Sequence, residues 1–63
     1  IPVGDYIKLA QVKASDDEFE QAINYLEIAR DRSTNDQLKK QLKEQIVLLQ
    51  NQDTKIQINQ NEN

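Results

Sequence analysis

Apolar side chains recur at helical spacing in three stretches of the chain. Tyr6, Leu9, Ala10 and Lys13 fall on one stripe, with Val3, Ile7 and Ala14 beside it, and this spacing predicts a helix over 5–14. Asp5 is placed to cap it after the Pro-Val-Gly entry. Phe19, Ala22, Ile23, Leu26 and Ala29 predict a second helix over 16–32, with an apolar face one helix wide. Ser15 and Glu18 have the S-x-x-E spacing of a capping box at its start. Asp16, Asp17, Glu18 and Glu20 crowd the first turns while Arg30 and Arg32 close it, as the helix dipole favours. After Ser33-Thr34-Asn35, the stripe Leu38, Leu42, Ile46 and Leu49 predicts a third helix over 36–50, widened late by Val47 and Leu48. Thr34 and Gln37 offer it a weaker capping box.

Beyond these elements the pattern fades. Of the 14 residues from Gln50 to Asn63, four are Gln and four are Asn, and only Ile56 and Ile58 are large and apolar. Such a segment buries too little to order itself, so residues 51–63 are expected to form a flexible polar tail after a three-helix domain of residues 1–50. Thr54–Asn59 alternates polar and apolar residues, which also allows a short strand on a partner's edge. Pro2 and Gly4 are the only residues of their kind, so no strong helix breaker occurs after the first turn. The expected fold class is all-α: an antiparallel helical hairpin with a third helix packed across it.

Composition narrows the chemistry. The 63 residues contain no Cys, His, Met or Trp, which removes disulfides, thiolate nucleophiles, imidazole bases and the common zinc cages. The acidic cluster at 16–20 lacks the alternating ligands and central Gly of a calcium loop, and its position at a helix start already accounts for it. Carboxylate pairs such as Asp17 with Glu20 have no walled pocket in which one acid could be kept protonated. No catalytic residue, cofactor or metal is therefore expected, and the chain is read as a non-enzyme. The net charge of −3 and the scarcity of aromatics argue against a nucleic-acid partner, although residues 21–49 carry five basic against four acidic groups. There is no apolar run of the ~18 residues that a membrane span needs, and no stretch of the sequence reads as a signal peptide. A soluble protein is expected, cytoplasmic in preference to secreted. A chain beginning at Ile1 with so few large apolar residues is expected to be part of something longer, or to gain stability from another copy.

The first two helices resemble a tetratricopeptide repeat, a 34-residue pair of antiparallel helices that stacks into arrays. Tyr6, Leu9 and Ala10 match its first-helix positions, and Phe19, Ala22, Ile23, Leu26 and Ala29 its second-helix positions. The sequence departs from the pattern at Lys13, where a second aromatic is usual, at Asp17, where the turn Gly is usual, and at Thr34, where Pro is common. The resemblance implies that the third helix caps an array, with Gln37, Lys40, Gln41, Lys43, Glu44 and Gln45 as its polar face. It implies a protein-interaction module at the end of a helical-repeat scaffold or adaptor, with Ile7, Gln11 and Ala14 facing a peptide groove. Ile7 and Gln11 replace the residues with which some members clamp a C-terminal carboxylate, so that variant is disfavoured. Tyr25 and Ile28 lie off the main stripe of the second helix. They are either core beside the third helix or, if exposed, the anchor of a partner or dimer contact. The alternative role is a small accessory subunit that self-associates through its third helix. Expected partners are therefore polypeptides: a peptide segment, a neighbouring repeat or an identical chain.

Overall fold

The computed structural model describes residues 1–61, and the side chains of residues 1–53. It contains α1 (Val3–Ser15), α2 (Phe19–Arg32) and α3 (Asp36–Asn61), with no strand among the described residues. α2 packs against both other helices. Links of three residues at 16–18 and 33–35 force each helix to turn back on the one before. Two contacts establish the antiparallel sense of the first pair. Tyr6, early in α1, meets Tyr25 at the middle of α2 and Arg32 at its end. Lys13, late in α1, reaches Glu18 at the entry to α2.

The core is small and depends on close approach. Ala10, Ala22 and Ala29 are buried with Leu26, Leu42 and Ile46, and Ala22 and Ala29 expose no surface at all. With only a methyl group at these sites, the backbones of α1 and α3 come near to α2, and the bulky leucines and isoleucine fill what remains. Val3, Tyr6, Ile7, Ala14, Ile23, Tyr25, Leu38 and Leu49 pack around this centre.

Several local expectations are corrected. Leu9 is 39% exposed and lies outside the hairpin seam. Successive helical residues turn about 100°, so a seam centred on Ala10 takes Val3, Tyr6, Ile7 and Ala14 and leaves Leu9 aside. α1 begins at Val3, not Asp5, with Pro2 as N-cap at ψ 151. Proline has no N–H to leave unpaired there, and glycine in the first turn does not stop a helix.

The Ser15–Glu18 capping box does not form. Ser15 is the last residue of α1, and its Oγ donates to the Gln11 carbonyl at 3.0 Å. α2 starts at Phe19 after Glu18, with no side-chain cap. What joins the two helices is a C-terminal stop. The Glu18 N–H donates to the Lys13 carbonyl at 2.9 Å and the Asp17 N–H to the Ala14 carbonyl at 3.1 Å, the paired bonds of a Schellman motif. Asp17 sits at its left-handed position with φ 62. Thr34 likewise does not cap α3. Asn35 does so, its Oδ1 accepting from the N–H of Gln37 at 2.9 Å and of Leu38 at 3.1 Å. Its own N–H donates to the Oγ of buried Ser33 at 3.2 Å.

α3 does not stop at Gln50. The pattern assigns 51–63 to a tail, with a strand allowed at 54–59, but the helix runs on to Asn61. Adding a residue to an existing helix avoids the cost of nucleation, and Asn51–Asn61 contains neither proline nor glycine. The remainder of the expected tail, residues 62–63, lies outside the described residues. No helix among the described residues is long and apolar enough to cross a membrane.

Candidate functional site

Because α1 and α3 both rest on α2, a trough opens between them. Its floor is formed by Ala10, Leu26 and Leu42, one residue from each helix, all buried. Ile7, Gln11 and Ala14 make the α1 wall. Leu38, Gln41, Gln45 and Leu49 make the α3 wall, with Glu44 at its rim. The volume is about 490 Å³, within the range of pockets that hold small ligands or short peptide segments.

Each wall follows from helix geometry. Ile7, Gln11 and Ala14 are spaced four and three residues apart and share one edge of α1. Leu38, Gln41, Gln45 and Leu49 recur at three, four and four along α3. Their apolar members continue the core outward, and the glutamines are exposed at its margin. Ile7, Gln11 and Ala14 thus lie together on the α1 side of this trough.

Tyr25 and Ile28 lie elsewhere. Tyr25 is half-buried and packs against the core. Its ring meets Tyr6 on α1, with centroids 6.4 Å apart and planes tilted by 36°. The Arg32 guanidinium carbon stands 5.6 Å from the centroid of the Tyr6 ring, a cation–π contact that sets the charge over the electron-rich face. Of the two expectations for Tyr25, it thus packs against the core in place of standing exposed, and its ring contact is with the first helix. Ile28 is half-buried one turn further along.

Gln41 and Gln45, assigned by pattern to an outward polar face, are exposed and also border the trough. The available signal was their position one residue before Leu42 and Ile46, which puts them at the border of the α3 stripe. The stripe's direction depends on how α3 lies on α2, and no spacing within α3 supplies that.

Elsewhere the surface carries two exposed apolar pairs. Leu9 and Val12 lie three residues apart on α1, and Val47 and Leu48 lie on α3, where they are 51% and 55% exposed. A shallow depression beside the second pair is lined by Lys43, Glu44, Val47 and Leu48. Among the described residues, no group of three or more acidic side chains is arranged to hold a metal ion. The Lys13–Glu18 pair, 3.8 Å apart and partly exposed, is a surface contact of small energetic weight.

Comparison of the chain with protein-family models, with curated proteins and with solved structures finds no match.

Proposed function

We infer that this chain is a non-catalytic protein–protein interaction module that receives a segment of another polypeptide in the α1–α3 trough, as the end of a helical-repeat scaffold or adaptor. One observation carries this reading. A buried apolar floor made by three helices lies open between two walls that mix aliphatic and amide side chains. Such a surface gains free energy by burying apolar groups and offers polar contacts for register, as protein-recognition sites do. Among the described residues, Glu44 is the one ionisable side chain that lines it.

Panning a displayed library of random peptides against the chain tests this. Selected peptides are expected to lose binding to Ala14→Arg, which fills the trough from the α1 wall. Repeated selection that yields no binder sensitive to Ala14→Arg sinks the reading.

A second reading has its own observation. Val47 and Leu48 are exposed side by side on α3, which supports a small accessory subunit that self-associates through that helix. Light scattering across a concentration series separates the two. Self-association abolished by Val47→Lys with Leu48→Lys favours the second, and a monomer at all concentrations removes it.

A further inference from the structure

We propose that Ser15 is a phosphorylation site for an acid-directed serine kinase, and that a phosphate there loosens the turn between α1 and α2. Such a site is independent of what the trough binds.

The S-x-x-E spacing at Ser15 and Glu18 is not used for capping, because Ser15 ends α1 and α2 starts without a side-chain cap. What remains is Ser15-Asp16-Asp17-Glu18, a hydroxyl followed by three consecutive carboxylates, with Glu20 beyond them. A kinase whose peptide groove is lined by arginine and lysine selects this pattern, since each carboxylate meets a fixed positive charge. The other aliphatic hydroxyls are set differently. Ser33 is buried, and its Oγ accepts from the Asn35 N–H. Thr34 is exposed, but Asp36 is the single acid among the three residues after it. Thr54 precedes Lys55, Ile56 and Gln57, which offer no carboxylate.

The Ser15 hydroxyl is also within reach. Ser15, Asp16 and Asp17 are exposed and Glu18 is partly so. The Ser15 Oγ donates to the Gln11 carbonyl at 3.0 Å, an exposed bond that one side-chain rotation breaks. Ser15 is the last residue of α1, and residues 16–18 belong to neither helix. An enzyme that takes its substrate extended therefore has to open one terminal turn, the part of a helix that frays most readily. In the transfer, the Ser15 Oγ attacks the γ-phosphorus of ATP. The new O–P bond forms as the bond to the ADP oxygen breaks, and an aspartate of the kinase takes the hydroxyl proton.

The consequence follows from charge. A phosphoserine carries about −1.5 to −2 charges at neutral pH. Here it lands at the negative end of the α1 dipole, directly before three carboxylates. The neighbouring cation, Lys13, is already 3.8 Å from Glu18. The bonds from the Glu18 N–H to the Lys13 carbonyl and from the Asp17 N–H to the Ala14 carbonyl then close against added repulsion. Those bonds set the return of α2 onto α1, so the phosphate acts on the hairpin itself.

The test treats the folded full chain with a purified acid-directed casein kinase and magnesium ATP. Peptide mapping by mass spectrometry is expected to place a single phosphate on Ser15, and Ser15→Ala to abolish it. Asp16→Asn with Asp17→Asn and Glu18→Gln should lower kcat/KM by about tenfold or more, in a chain of unchanged circular dichroism. The phosphorylated chain should melt roughly 4–8 °C below the parent at low salt, and the gap should narrow as salt is added. No phosphate on Ser15, labelling only after the chain is heat-denatured, or equal rates for the neutralised variant overturns the site. A Tm that the phosphate leaves unchanged or raises overturns the loosening of the turn.

Discussion

Tyr6 and Tyr25 face each other across the hairpin with ring centroids 6.4 Å apart, and they close the end of the α1–α2 seam that the alanines leave open. The planes are tilted by 36°, away from the unfavourable face-to-face sandwich. With Arg32 set against Tyr6, three side chains from two helices hold the start of α1 to the middle and end of α2.

Tyr25→Leu retains most of the apolar area and removes the ring pair. It is expected to cost about 0.5–1.5 kcal/mol in urea unfolding followed by circular dichroism. Leu9→Ala, on an exposed neighbour of the seam, is expected to stay within about 0.5 kcal/mol of the parent. Equal losses for the two would show that the rings do not pin the hairpin.

Leu26→Ala removes the side chain that reaches both the core and the trough floor, at a cost of about 2–5 kcal/mol. Ala22→Leu inserts volume where no surface is exposed and is expected to cost about 1–3 kcal/mol by forcing α2 away from its neighbours. Thermal melts of both variants check this. A neutral Ala22→Leu would mean that close helix approach is not what the small residues provide.

Asn35→Ala deprives Gln37 and Leu38 of their acceptor and should destabilise the chain by about 1 kcal/mol. Ser15→Ala loses only an exposed hydroxyl bond to a helical carbonyl and should change stability by less than about 0.5 kcal/mol. The reverse ranking would restore the capping box at Ser15 that the geometry excludes.

Asp17→Gly relieves a left-handed backbone without disturbing the Schellman bonds, which are made by the main chain. An increase of about 0.5–1 kcal/mol is expected, or roughly 2–8 °C in Tm for a chain of this size. A lower Tm would mean that the Asp17 side chain stabilises the turn by more than its backbone strain costs.

Asp17 shows how far sequence reading reached. The repeat pattern wants glycine there because the turn needs a positive φ, and the chain adopts that φ with an aspartate instead. The competing S-x-x-E signal two residues earlier pointed to a helix start, and the two readings are incompatible. Only the ring of backbone bonds from Lys13 to Glu18 decided between them, since a capping box and a Schellman stop draw on the same few polar residues. Asn35, and not Thr34, caps α3 for a similar reason. Ser33, Thr34 and Asn35 are all competent caps, and which one caps depends on where the chain turns.

The sequence by itself determined the number of helices, the cores of all three and the small residues on which they close, because 3.6-residue periodicity is a property of each segment alone. It did not determine where α3 ends, since Gln and Asn neither drive a helix nor break one. Nor did it determine which edges of α1 and α3 border the trough. That depends on the direction in which each stripe meets α2. A helix carries a continuous ring of faces, and the identity of the one that becomes a wall, a floor or open surface is fixed only when a second helix is laid against it.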